Sequence, residues 1–483
     1  MKICLVSSEV APLAKTGGLA DVVAGLGRYL ESNGHDVRIF MPLYGRISRD
    51  EFPFETVDAA TSVTLDLGKE KFEFALRRTK LPNSESLPVY GIDCPQLFHR
   101  EELYGSYADE HVRFGLLNRA VLESCQRLQW APDVFHLNDW HTGLLPLYLK
   151  TLYAWDDLFR HAKTLLTIHN IGYQGTFPTD ALADLGLEKY ATLFHQGDYR
   201  DGFVNFLKTG MIYSDWLTTV SETYAKEIQT SDYGMGLEDV LVQRAGALTG
   251  IVNGVDYGDW NPEIDPLIRH HYTADDLTGK PKNKAELIKA FELEIDANAP
   301  LFGSVSRLTG QKGFELLPDI LPILLRQENM GLVILGSGEE KYEKYFQWLR
   351  DKFPTKVGIF RGYNNELAHK IEAGADMFLM PSRYEPCGLN QMYSLKYGTA
   401  PIVRRTGGLA DTVVPFNPRT GEGTGFVFER FDVDELHREM RRALEVWQDR
   451  NAWARLVQNG MAQDFSWQRQ GPRYENLYSG LHA

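Results

Sequence analysis

Three stretches of this sequence carry residue types whose spacing suits chemistry on an anion, and each follows an apolar run that reads as a strand. The first is Lys15-Thr16-Gly17-Gly18, between KICLVSS and an amphipathic run beginning at Leu19. Two adjacent glycines let a backbone approach a ligand, a helix N-terminus offers unpaired N–H groups, and Lys15 adds a positive charge, so a pyrophosphate is the natural guest. The same residues also fit a plain tight turn with a solvated lysine. The second is 306–313 (SRLTGQKG), in which Arg307 and Lys312 lie five residues apart. A guanidinium fork and a movable ammonium on one loop suit a diphosphate, although two ordinary surface cations would look the same. The third is 381–389 (PSRYEPCGL). Glu385 precedes Pro386, a good first helical residue, so a helix is expected over 387–397, presenting the N–H groups of Gly388 and Leu389 to an anion. A carboxylate beside an anion site can bond a sugar hydroxyl or steady developing positive charge. Its plainer role is to complement a helix dipole. Cys387 reads as a packing or ligand contact, since no partner base is near it in sequence.

Two further strand ends carry polar pairs. Asp139 and His141 follow DVFHLN, and His169-Asn170 follow TLLTI, which together favour a polyol pocket. Asp139 and His141 lack an evident third ligand, and HExxH, CxxC and HxH clusters are absent, so no metal is expected. The G-S-G at 336–338 lacks the third glycine of a dinucleotide fingerprint, and no P-loop string occurs.

The elements that position these residues follow from the pattern of apolar runs. Strands are expected at 2–7, 36–41, 133–138, 164–169 and 216–221, then at 301–306, 331–336, 356–361, 376–381 and 399–404. They are short and rich in Val, Ile and Leu without clean alternation, as in strands buried on both faces. Helical stretches intervene, for example 19–30 with Leu19, Val22, Val23, Leu26, Tyr29 and Leu30 on one face. Two doubly wound α/β domains are the expectation, with 42–130 fitting worst and reading as antiparallel strands and loops. The boundary is placed in the Gly/Asn/Asp/Pro-rich stretch 253–266, giving domains 1–255 and 256–464. A final helical segment, 465–483, has Tyr474, Leu477, Tyr478 and Leu481 on one face. The string T-G-G-L-A-D-x-V occurs twice, at 16–23 and again at 406–413.

Composition bounds the partners. With 483 residues, 43% apolar and 24% charged, the chain is an ordinary globular one of two to three domains. The net charge of −14 is the wrong sign for a nucleic-acid backbone. No apolar run approaches the roughly 18 residues of a membrane span. Four scattered cysteines are no disulfide framework, so a reducing compartment is the default. The strand-like KICLVSS start gives no sign of a cleavable leader, and a cytoplasmic location is expected.

Taken together, K-T-G-G-L-A-D-V (15–22), H-L-N-D-W-H (136–141), T-I-H-N (167–170), N-G-V-D (253–256), S-R-L-T-G-Q-K-G (306–313) and P-S-R-Y-E-P-C-G-L-N-Q (381–391) resemble the bacterial glycogen synthase and plant starch synthase family. The matches span the chain in family order. The resemblance implies a GT-B fold: two Rossmann-like domains, a cleft between them, and a C-terminal helix crossing back to the first. It implies retaining transfer of glucose from ADP-glucose to the non-reducing end of an α-1,4-glucan such as glycogen, with neither metal nor cofactor. The implied donor-binding lysine is Lys15, beside Gly17 and Gly18, and the diphosphate cations are Arg307 and Lys312. Glu385 is the implied catalytic carboxylate, with Cys387, Gly388 and Leu389 lining the sugar and phosphate. Asp139 and His169 fall near the transferred glucose, and Tyr363 is placed to stack on the adenine. Broader retaining GT-B families carry a second glutamate eight residues after the first; this sequence has Tyr393 there. Rival expectations are a sucrose-type synthase, a nucleotide-sugar epimerase or a non-catalytic glucan-binding relative. The two enzymes are not expected to combine K-T-G-G-L with E-P-C-G-L, and a non-catalytic relative would be signalled by loss of Glu385, Arg307 or Lys312, all of which are present.

Overall fold

The computed structural model describes residues 1–105 and 107–482, which form two compact units. The first takes in Met1–Val220, Ala225–Gly254 and the segment from Trp467 onward; the second takes in Ser221–Tyr224 and Val255–Ser466.

The strands of the first unit, in chain order, are β1 (Lys2–Val6), β2 (Asp36–Pro42), β3 (Glu55–Thr56), β4 (Val63–Leu67), β5 (Glu70–Lys80), β6 (Pro88–Asp93), β7 (Val134–Asn138), β8 (Lys163–Ile168), β9 (Thr176–Pro178), β10 (Phe203–Asn205), β11 (Trp216–Thr219) and β12 (Leu248–Gly250). The main sheet runs β12-β11-β8-β7-β1-β2-β6-β5-β3. It is parallel from β12 through β6, then antiparallel through β5 and β3. Strand order reverses direction between β1 and β7, and the crevice outside their carboxyl ends is where such sheets place ligands. The residues that leave β1, β7 and β8 are 7–18, Asp139 and His169, so three neighbouring strands deliver the candidate groups to one sheet edge.

The second unit has β13 (Leu301–Val305), β14 (Gly331–Gly336), β15 (Val357–Arg361), β16 (Met377–Met380), β17 (Ala400–Arg404) and β18 (Phe426–Phe428), in the all-parallel order β15-β14-β13-β16-β17-β18. This is the doubly wound 3-2-1-4-5-6 order. Its reversal lies between β13 and β16, which end in the loops of Arg307 and Glu385. Apolar clusters cover both faces of the sheet, one including Phe302, Leu332 and Ile402, the other Leu301, Val333 and Val403. Side chains at i and i+1 of each strand thus both find apolar surroundings, which is why the sequence shows unbroken apolar runs rather than alternation.

All ten expected strands form. Additional strands appear at β6, β9, β10, β12 and β18. The region 42–130 contains the expected antiparallel ladder of β3, β4 and β5, and also a helix at Glu110–Arg127 that the apolar pattern did not reveal. Its Arg113 is fully buried and donates to the carbonyls of Leu97 (2.8 Å) and Leu103 (3.1 Å) and to Glu110. The C-terminal helix Trp467–Gly480 belongs to the first unit. Trp467 fills the space beside Gly25, where a Cβ would lie 2.0 Å from its ring nitrogen, and Tyr29 fills the space beside Gly471. The buried face is Trp467, Gln470, Gly471, Tyr474 and Tyr478. Leu477 and Leu481, expected on that face, are only half-buried.

Candidate active site

In the first unit, Gly17 caps the helix Gly18–Ser32 in an extended conformation, and a Cβ there would meet no atom within 4 Å. Lys15 reaches Asp21, one turn into the same helix, at 2.8 Å. One element was invisible to motif reasoning. The buried carboxylate of Glu9 accepts from the backbone N–H of Thr16 and, at 3.3 Å, from that of Gly17. Its other oxygen accepts from the Thr16 hydroxyl (2.6 Å) and the Tyr104 phenol (2.7 Å). The sequence pointed to loop N–H groups as a phosphate cradle; two of them, Thr16 and Gly17, are engaged by this acid instead.

Asp139 follows β7 with φ +57°, a backbone conformation rarely adopted outside glycine. The conformation aims its carboxylate at the end of β8, where Oδ1 accepts from the N–H of His169 (2.7 Å) and Asn170 (3.4 Å). Burial pushes the Asp139 carboxyl up to about 7, against the pull of those two N–H groups, and the nearby Glu9 carboxylate adds to the rise. His169 is pushed down to about 3 by burial and is therefore neutral. Asn138 commits its amide nitrogen to the Val6 carbonyl at 3.0 Å, so its oxygen faces His169 Nε2 at 2.8 Å. That assigns the proton to Nε2 and leaves Nδ1 as a lone-pair acceptor, a group suited to a sugar hydroxyl. His136, from the same motif, is structural: Nδ1 contacts Tyr478 and Nε2 contacts Thr167, both at 2.7 Å. His141 is buried and stacked on Trp140.

In the second unit the loops after β13 and β16 are bound to each other. The Arg383 N–H donates to the Gln311 carbonyl at 2.8 Å, and the Gln311 amide to the Tyr384 carbonyl at 3.4 Å. At Gly313 φ is +73°, and a Cβ would strike the Pro381 carbonyl at 1.9 Å, so only glycine permits this approach. The ammonium of Lys312 thereby lies 2.6 Å from Glu385 Oε2, which also accepts from Ser382 at 2.9 Å. Glu385 is only 4% exposed, whereas Arg307 stands exposed. Arg404, which motif reasoning passed over, donates to the Ser382 carbonyl at 3.0 Å and to that of Arg383. Gln391 braces the turn, donating to the Cys387 and Gly388 carbonyls and to Thr412. Both bracing residues are polar and buried, Gln391 closing the 381–391 motif and Arg404 lying just before the second T-G-G-L-A-D string, which is the signal that could have marked them.

One expectation is corrected. The helix after this loop begins at Asn390, not Cys387, and spans Asn390–Lys396. Gly388 takes a left-handed conformation (φ +73°), which turns the chain before the helix starts. The N–H groups of Gly388 and Leu389 therefore belong to a turn, while Cys387 is buried beneath it. The G-S-G at 336–338 serves packing: a Cβ on Gly336 or Gly338 would strike the carbonyl of Ser306 or Leu308. Tyr363 is 71% exposed, with its hydroxyl 2.9 Å from Asn365. Tyr393 is buried, stacked parallel on Trp260 with ring centroids 3.9 Å apart. Among the described residues, no three His, Cys, Asp or Glu side chains gather in a way that could hold a metal ion. No helix among them is long and apolar enough to cross a membrane.

The family model of the starch synthase catalytic domain matches residues 2–243, and that of group 1 glycosyl transferases matches 286–459. A glycogen synthase of Koribacter versatilis is 45% identical over 99% of this chain and 98% of its own length. One of Myxococcus xanthus is 45% identical over the full length of both. Among solved structures, the catalytic domain of starch synthase IV from Arabidopsis thaliana, bound to ADP and acarbose, superposes with a TM-score of 0.92 at 34% identity, covering 100% of this chain and 99% of that one. A sucrose-phosphate synthase from Thermosynechococcus elongatus shares the fold at a TM-score of 0.62 and 17% identity, covering 99% of this chain and 98% of its own. The two Rossmann-like sheets are those of the GT-B class, and the chain belongs to the glycogen and starch synthase family of glycosyltransferases.

Proposed function

We propose that this protein elongates an α-1,4-glucan by transferring glucose from ADP-glucose, with retention of configuration, and releases ADP. The single observation that carries the reading is the joined pair of loops in the second unit, which sets the Lys312 ammonium 2.6 Å from the Glu385 carboxylate. A cation and an anion held together at a strand's carboxyl end match the two charges that transfer creates. As the anomeric C–O bond lengthens, negative charge gathers on the diphosphate and positive charge on the sugar. Arg307 and Lys312 answer the first and Glu385 the second, and each such contact is worth roughly 3 kcal/mol. Cys387, Gly388 and Leu389 line the donor. Tyr363, exposed and unstacked by any neighbouring ring among the described residues, offers its face to the adenine.

On the first unit, Lys15 serves the phosphates, with the open space at Gly17 receiving the donor and Gly18 beside it. His169 accepts from a hydroxyl of the transferred glucose through Nδ1, and Asp139 holds the His169 backbone in place while presenting its own carboxyl to the sugar. Over the whole transfer the anomeric C–O bond to the diphosphate breaks, a new C–O bond forms to the acceptor oxygen, and the acceptor's hydroxyl proton is taken up by the released ADP or by solvent. With Lys15, Arg307 and Lys312 assigned to the diphosphate, the chemistry has its counter-charges without a metal. We place the protein in the cytoplasm, in keeping with four cysteines that are all buried and in no disulfide.

The test is ADP release from ADP-glucose in the presence of glycogen, with UDP-glucose in parallel and with EDTA added. Expected are a preference for ADP-glucose of at least roughly tenfold in kcat/KM, or about 1.4 kcal/mol, and full activity under chelation. Equal use of UDP-glucose, or activity lost to EDTA and restored by Mg²⁺, overturns the assignment of donor or of charges.

A further inference from the structure

We infer that Glu9 is a positioning residue for this reaction, a hydrogen-bonded clasp that fixes the Lys15–Gly18 loop and ties it through Tyr104 to the loop of Asp139. The inference rests on the proposed donor role of that loop and names what sets its shape. After β1 the chain folds back on itself: Val10 and Ala14 exchange two backbone hydrogen bonds (3.0 and 2.9 Å), and the Ala11 N–H reaches the Ala20 carbonyl at 3.1 Å. Ser7 pins the backbone of Glu9 from both sides, its hydroxyl donating to the Glu9 carbonyl at 2.7 Å and accepting from the Glu9 N–H at 3.2 Å. The side chain is thus delivered beneath the loop in a fixed direction.

The four donors on its carboxylate divide by type. One oxygen takes two backbone N–H groups, of Thr16 and Gly17; the other takes two hydroxyls, of Thr16 and Tyr104. A carboxylate accepts at both oxygens, so the match is complete, and N–H groups that would otherwise be unsatisfied before the helix are answered. Gly17 itself supplies no side-chain cap. Tyr104 also meets the Ser8 hydroxyl at 2.7 Å and lies 4.8 Å, centroid to centroid, from the ring of His141, two residues beyond Asp139. The clasp therefore joins the segments that leave β1 and β7. Its strength comes from hydrogen bonds to an anchored acceptor, so a glutamine in place of the acid can preserve it: the amide oxygen facing the two N–H groups, the amide NH₂ facing two hydroxyls that rotate to accept.

Glu9→Ala and Glu9→Gln distinguish this clasp from a merely buried acid. Two readouts apply, KM for ADP-glucose and amide hydrogen exchange of the peptide containing Thr16 to Gly18, with melting temperature recorded. Glu9→Ala is expected to raise KM by about tenfold with a smaller fall in kcat, and to speed exchange at Thr16 and Gly17. Glu9→Gln is expected to recover most of that loss, leaving KM within roughly threefold of the unmodified protein, with exchange slow again. Unchanged KM and unchanged exchange in Glu9→Ala overturn the inference. So does a Glu9→Gln protein as impaired as Glu9→Ala, because charge rather than bonding would then be the requirement. If the unmodified protein does not turn over ADP-glucose, the proposed function fails on its own, and the exchange rates alone still decide whether the clasp exists.

Discussion

The string T-G-G-L-A-D occurs in both units, and the two copies use their glycines in opposite ways. In the first copy Gly17 is extended with open space where a Cβ would stand. In the second, Gly407 sits at φ +44° and its Cβ would strike the Glu385 carbonyl at 2.0 Å, while a Cβ on Gly408 would strike that of Cys387 at 2.1 Å. The Gly408 N–H also donates to the Glu385 and Pro386 carbonyls, both at 3.1 Å. The aspartates diverge as well. Asp21, in the first turn of its helix, pairs with Lys15 just before it, whereas Asp411 accepts from the backbone N–H (3.0 Å) and hydroxyl of Thr223, far away in sequence. The first helix continues for fifteen residues and the second for six. Beside Gly17 of the first string a side-chain carbon would meet no atom within 4 Å, whereas the same space in the second string is filled by the backbone of 385–387. A glycine pair before a helix marks close approach; what approaches depends on the neighbouring loop.

The largest effect should come from the carboxylate the second copy supports. Glu385→Gln keeps size and hydrogen bonding but removes the charge facing the developing sugar cation. kcat should fall by roughly 10² or more with KM little changed. A near-normal kcat in steady-state assays would reduce Glu385 to an ordinary buried acid and leave the second copy supporting nothing catalytic. Next in size is Gly408→Ala. Its methyl group cannot coexist with the Cys387 carbonyl, so the backbone of 385–388 must shift. A displacement of that order misplaces Glu385 enough to cost about 10² in rate and lowers the melting temperature. If Gly408→Ala matches the unmodified enzyme in both, the second copy is not packed as described.

Gly17→Ala is the complementary variant. The backbone at Gly17 is one any residue adopts, and nothing stands in the way of the methyl group. Stability should hold, or rise by about 0.4–1 kcal/mol through the stiffer unfolded chain. If the space belongs to the donor, KM for ADP-glucose rises about tenfold while kcat moves less. A KM that stays put would place the donor elsewhere and erase the contrast between the copies.

These differences also mark how far the sequence could be read. Strands buried on both faces announce themselves as apolar runs, so the paired sheets and the loops at their ends were legible. Lys15, Lys312 and Glu385 stood out through the family motifs around them, because each residue alone fits an ordinary turn, a surface cation or a helix-start acid equally well. The helix Glu110–Arg127 did not stand out, because it buries Glu110, Arg113 and Asn118 and so shows no apolar stripe. Glu9, Arg404 and Gln391 were missed for a related reason. Each acts by bonding to backbone in another loop, and the sequence does not say which N–H or C=O a side chain will meet. The early helix start at Cys387 was misjudged because Pro386 fits a first turn, while the left-handed Gly388 that follows forbids one.

The smallest expected effect concerns pH and is specific to the surroundings of the first copy. Asp139 is held up at about 7 by burial, with Glu9 contributing; an unfolded aspartate titrates near 4. Between these values the folded protein keeps a proton that the unfolded chain has released. The unfolded state thus binds fewer protons, and stability falls as pH rises through this window, levelling once Asp139 has ionised above about 7. Asp139→Asn cannot ionise, and its amide oxygen can still accept from the His169 and Asn170 N–H groups. Melting temperatures at pH 5 and pH 8 should therefore show the variant gaining on the unmodified protein by on the order of a few degrees. Repeating the pair in a Glu9→Gln background should shift the window to lower pH, because one source of the rise has been removed. Melting curves that stay parallel from pH 5 to 8 would mean that Asp139 ionises like an exposed acid, and that neither its burial nor the acid beneath the first copy sets its proton.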